Sequence, residues 1–169
     1  MPAWFGEVSA YQQWLSLLAF VGYVPLFLAI AHKNLKSTFW LSFFSLSVQF
    51  TITLYWIYVA LHVHGHIPPI FSGIITLCLP FLLALKISVF LVIARLVSDR
   101  FSWSFFLIAP VALCAGEYFR NFYVFGGFPW GNVGYGVGQI DQFLQIASLV
   151  GIYGLVFFVG VVNALFAHS

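Results

Sequence analysis

The stretch 70–97 constrains this chain most, because it is apolar for longer than a bilayer is thick and its interior carries one charge, Lys86. Near a bilayer centre a lysine costs about 3 kcal/mol, whereas each of the roughly 18 Leu, Ile, Val and Phe residues around it contributes about −0.3 to −0.6, so insertion wins. In lipid the backbone must satisfy its own hydrogen bonds, which makes such a run a helix. Four more runs have similar character, near 12–31, 38–61, 101–125 and 142–167. The predicted fold is therefore all-α: one polytopic membrane helix bundle over 1–169 with about five transmembrane helices. Composition agrees, with 63% hydrophobic and 6% charged residues against about 25% charged in ordinary soluble domains.

Lys33 and Lys36 follow the first run and Arg95 and Arg100 flank the link between the third and fourth, so both links are expected in the cytoplasm. The N-terminus then lies outside, and the His-rich link 62–69 and the loop 126–141 face outward together, on the side away from the cytoplasm. A net charge of +2 carried by a few loop residues says little about nucleic acid, which is not expected as a partner, and more about orientation in the bilayer. Glu7, rather than a basic segment, precedes the first run, which argues against a cleaved signal peptide. No internal repeat or linker is visible. Cys78 and Cys114 lie within apolar runs and give no disulfide signature.

The outward loop is polar and bent where the rest is apolar and straight. Gly126-Gly127 and Pro129 cannot continue a helical ladder, and irregular backbone at membrane depth needs protein or a water-filled cavity around it. Trp130 and Tyr135 are amphipathic rings that serve either as interfacial anchors or, with Phe128 and Pro129, as the wall of a lipid-admitting groove. Glu117 and Arg120 are three apart, share a helix face and pair, either to fix the bundle or to contact a substrate head group. Glu117 should lie about 12 Å below the outer end, and Lys86, about 24 Å down its own span, too deep to join it. Lys86 would instead snorkel toward the cytoplasm or meet a hydroxyl near Ser88.

Weaker signals are set aside on chemical grounds. Gly131, Gly134, Gly136 and Gly138 lack the strand and the Lys-Ser/Thr of a phosphate cradle, and Asp141 reads as the N-cap of the last span. His62, His64 and His66 have no carboxylate or thiol nearby in sequence, so no metal is predicted. Neither cysteine has a histidine in reach by sequence, no catalytic residue is assigned, and no cofactor is expected.

Several motifs in order resemble one family: Tyr23-Val24-Pro25-Leu26, Tyr55-Trp56-Ile57-Tyr58-Val59, Gly65-His66-Ile67-Pro68, Glu117-Tyr118-Phe119-Arg120, Gly127-Phe128-Pro129-Trp130, Gly134-Tyr135 and Gln139-Ile140-Asp141. Together they are similar to the membrane portion of bacterial apolipoprotein N-acyltransferase. The resemblance implies transfer of an acyl chain from a glycerophospholipid to the N-terminal diacylglyceryl-cysteine of lipoproteins, at the outer face of the cytoplasmic (inner) membrane. It also implies a nitrilase-like domain with a Glu-Lys-Cys triad, onto which no residue here maps, and a first membrane helix this chain is expected to lack. The expectation is a membrane scaffold inactive alone, either a truncated product or half of a split enzyme with a separate nitrilase-like polypeptide as partner. The competing class is a small non-enzymatic membrane protein, such as a transporter subunit or assembly factor, with Lys86, Glu117 and Arg120 along a pathway. Transporters usually pair broken helices, and the sequence suggests only one break.

Overall fold

The computed structural model describes residues 16–121, 127–138 and 140–169, and among them every regular element is helical. Residues 12–15 of the first expected span, 122–125 of the fourth, Glu7, Gly126 and Gln139 lie outside the described residues. A 3-10 turn, Leu18–Phe20, leads into α1, Val24–Ile30. The long helices are α2, Leu35–Leu54, and α3, Pro69–Phe101, followed by α4, Phe105–Arg120. The short α5, Val133–Val137, precedes α6, Asp141–His168.

Local chemistry explains the boundaries. Asn34 caps α2, its Oδ1 accepting the Ser37 N–H at 2.8 Å. Past Leu54 the ladder changes pitch, through a helical turn at Ile57–Val59 and a π turn at Ala60–His64. Pro68-Pro69 opens α3, where proline's missing donor is harmless, and Ser102 in the left-handed region (φ 55°) ends it.

α3 packs between α2 and α4, α4 packs on α6, and α1 lies against α6. Leu46 and Phe50 of α2, Leu83, Ile87 and Leu91 of α3 and Leu113 of α4 are fully buried in this core. Small residues permit close crossings: a Cβ on Gly116 would come 3.0 Å from Ile87 Cα, and one on Gly160 3.1 Å from Pro110 Cα. Asn163 joins α6 to the start of the chain. Its Nδ2 donates to the carbonyls of Ala19 and Val159, and its Oδ1 accepts the Tyr23 N–H, each at 2.8 Å.

The outside is apolar. Leu77, Leu82, Leu107, Leu149, Leu165 and Phe166 all point away from the protein, a surface suited to lipid. α2, α3 and α6 are long and apolar enough to cross a bilayer, and shorter apolar segments, Leu18–Ile30 and α4, lie in two of the other expected positions. The molecule is an all-α membrane bundle.

Two sequence expectations are corrected. Asp141 does not cap α6: Ile140 occupies the cap position with extended backbone, its carbonyl accepting from the Phe143 and Leu144 amides, and Asp141 is the first helical residue. Nor is α6 continuous, since Gly151 adopts φ 68°, ψ 179°, a conformation open essentially to glycine alone, and the helix kinks there.

A buried ion pair that holds the outward loop

The Glu117–Arg120 pair forms at the end of α4, and both side chains are 0% exposed. Arg120 Nε and Nη2 reach Glu117 Oε2 at 2.7 and 2.6 Å. The other terminal nitrogen turns to the loop: Nη1 donates to the Phe128 carbonyl at 2.7 Å and the Trp130 carbonyl at 3.1 Å. From the far side of the loop Asn132 Nδ2 donates to the same Glu117 oxygen at 3.1 Å, while Asn132 Oδ1 accepts the Gly134 N–H and caps α5. The guanidinium sits 5.2 Å over the Phe50 ring of α2.

One cation thus serves one oxygen of a carboxylate, two loop carbonyls and an aromatic face. A buried charge left unpaired would be costly, and this set of partners is what allows Arg120 inside the protein. Glycine makes the loop's course feasible: Gly127 has φ 109° with the Asn121 carbonyl where a Cβ would stand, and Gly131, at φ 76°, sits against Phe50.

Holding the loop by its carbonyls turns its side chains outward. Trp130 is 53% exposed and Tyr135 49%, whereas Phe128 and Pro129 are half-buried beneath them. The Trp130 ring packs on Phe128 at 5.3 Å and edge-on to Trp56 at 6.3 Å, so three aromatic rings from two loops adjoin. The geometry separates the six candidate residues into two that are sealed, Glu117 and Arg120, and four on the loop and α5.

Lys86 is displaced from its expected depth. Ile87 packs on Gly116, and the Phe90 ring stacks on Phe119 at 5.2 Å, which sets Lys86 level with the Glu117 turn. Counting from span ends failed because α4 ends at Arg120 and its register on α3 is fixed by Gly116. The ammonium does not snorkel: Nζ is buried without a hydrogen bond, as is the hydroxyl of Ser88. Glu117 Oε1 also lacks a partner.

His62 Nδ1 lies 3.0 Å from the Ile67 carbonyl, closing the π turn, and no metal-binding group of His, Cys, Asp and Glu forms among the described residues. Cys78 and Cys114 are free, Cys114 Sγ donating to the Tyr153 carbonyl at 3.4 Å. Sequence reasoning missed Asn132, Phe50 and Trp56 as parts of this assembly. Asn132 offered a signal, an amide two residues before Gly134 in a membrane loop, and Phe50 offered none.

Comparison with known proteins adds the deciding observation. Residues 7–165 match the family model described as the apolipoprotein N-acyltransferase N-terminal domain. The chain belongs to the apolipoprotein N-acyltransferase family. It is 32% identical over 150 residues to the apolipoprotein N-acyltransferase of Geobacter metallireducens, covering 88% of this chain and 28% of that protein. The apolipoprotein N-acyltransferase of Pasteurella multocida is 32% identical over 130 residues, 76% of this chain and 24% of the relative. That of Haemophilus ducreyi is 35% identical over 130 residues, 73% and 24%. The chain spans about a quarter of the length of these curated relatives. No solved structure matches it.

Proposed function

We propose that this chain is the membrane domain through which an apolipoprotein N-acyltransferase receives its two lipid substrates, a phospholipid donor and a diacylglyceryl-cysteine lipoprotein, in the bacterial inner membrane. Loops 62–69 and 126–141 face the periplasm, and the N-terminus lies on that side. The Glu-Lys-Cys chemistry belongs to the family's nitrilase-like domain, and no residue described here is assigned to it. Trp130, Phe128, Pro129 and Tyr135 form the wall that an acyl chain meets when it leaves the outer leaflet. Glu117 and Arg120 act as positioning residues that fix this wall.

The observation carrying this reading is the double grip of Arg120 on the Phe128 and Trp130 carbonyls beneath an exposed aromatic surface. A loop that served only as a connection would not need a buried cation for its backbone. The test uses a variant retaining Trp130, with the other five tryptophans replaced by phenylalanine. Quenching of its fluorescence by lipid-borne bromine and by aqueous iodide is measured with and without a diacylglyceryl-cysteine peptide. A groove predicts a saturable change on adding the peptide, and identical quenching in folded protein returns Trp130 to the role of an anchor.

A further inference from the structure

At the opposite end of α4 a cavity of about 400 Å³ opens between the α1–α2 link, the end of α3 and the last turn of α6. Its polar lining is His32, Arg95, Ser98, Ser104 and His168, and its apolar lining includes Leu28, Trp103 and Phe106. A second cavity of about 330 Å³ shares Ser104, Phe106 and His168 with the first and continues between α4 and α6 along Leu107, Pro110, Phe157 and Val161. A chamber with both polar and apolar walls thus joins an apolar groove at one rim, the outline of an amphipathic ligand.

The charge at this end fixes its sign. Lys33, Lys36, Arg95 and Arg100 gather here with a single described acid, Asp99, which pairs with Arg95 at 2.6 Å and is itself half exposed. Arg95 is also held by the Lys33 carbonyl, to which Nε donates at 3.0 Å, and by Ser98 Oγ, to which Nη1 donates at 3.5 Å, so its head is fixed at the chamber wall. α4 begins at the chamber with no side-chain cap from Ser104; the Leu107 amide closes on the Ser104 carbonyl at 3.1 Å, and the Phe105 and Phe106 amides precede it.

We propose that this end of the bundle binds an anionic glycerophospholipid from the facing leaflet, its phosphate seated among Arg95, His32 and His168 and one acyl chain in the groove between α4 and α6. The site lies a helix length from Trp130 and is distinct from substrate admission at that loop.

Trp103 lines the chamber and reports on it. In a variant keeping only this tryptophan, phosphatidylglycerol and phosphatidylcholine with brominated acyl chains are titrated into the detergent-solubilised protein. Phosphatidylglycerol should quench with about five-fold tighter apparent binding, the value of one added cation contact near an anionic headgroup. Arg95→Gln should erase the preference. Because Arg95 also braces the α1–α2 link, His168→Asp, which adds a negative charge at the chamber wall, and Val161→Phe, which fills the groove, are tested beside it. Equal quenching by the two lipids, or a preference that survives both His168→Asp and Val161→Phe, overturns the proposal. Displacement of phosphatidylglycerol by millimolar inorganic phosphate also overturns it, in favour of a free-phosphate site. Failure of this test leaves the reading of the Trp130 loop intact.

Discussion

Arg120 joins a helix to a loop that sequence proximity alone would leave independent. Removing either member of the Glu117–Arg120 pair strands the other charge in a fully buried site, at about 3–5 kcal/mol. Glu117→Gln and Arg120→Gln should therefore each lower unfolding stability in detergent by about that much, and the double variant by clearly less than their sum. Additive losses in the double-mutant cycle would count against the pairing. Asn132→Leu, which deletes both the charged hydrogen bond to Glu117 and the α5 cap, should cost at least about 1.5–3 kcal/mol on the same scale. The pair itself was legible in the sequence, since spacing by three on an apolar helix leaves two opposite charges no better partner. Its grip on the Phe128 and Trp130 carbonyls was not, because Gly127 and Gly131 at positive φ fold the loop back and no periodicity encodes that return.

Helices were legible wherever apolar length decided the matter, as in α3, and misread wherever a glycine did. Gly116 sets the register of α4 on α3 and so moved Lys86 level with Glu117. Nothing separates such a glycine in sequence from Gly73, beside which a Cβ would meet nothing within 4 Å. The two should respond oppositely to substitution. Gly116→Val drives a branched side chain into the Ile87 backbone and should cost about 1–3 kcal/mol, while Gly73→Ala should stabilise by about 0.4–1 kcal/mol. Gly151→Ala belongs with the first, through backbone strain of about 1–3 kcal/mol rather than crowding. Thermal unfolding of the three variants in one detergent checks the signs, and a stabilising Gly151→Ala would mean the kink is not the native state.

For the whole molecule, the cations gathered at one end predict an orientation in the membrane. With Cys78 and Cys114 replaced by alanine, a cysteine at His64 should react with a membrane-impermeant maleimide added outside spheroplasts. One at Lys36 should react only after lysis, and the reverse pattern would invert the topology. The fold class was readable because lipid leaves a backbone few choices. The break in α6 was not, because Gly151, Gly154 and Gly160 all lie in that apolar run and nothing in the sequence marks the first as the one that bends. That break also bears on the bilayer. Asn121 Nδ2 and Tyr153 Oη, 2.6 Å apart, put the end of α4 level with the restart of α6 after Gly151. Beneath that level α4 is 16 residues long, about 24 Å, and α6 beyond the kink is of similar length, against about 30 Å for a typical hydrocarbon core. α3, at 33 residues, has length to spare. On the α4–α6 flank the described helical segments beneath this level are shorter than that core, and a local thinning of the lipid there is the expected consequence.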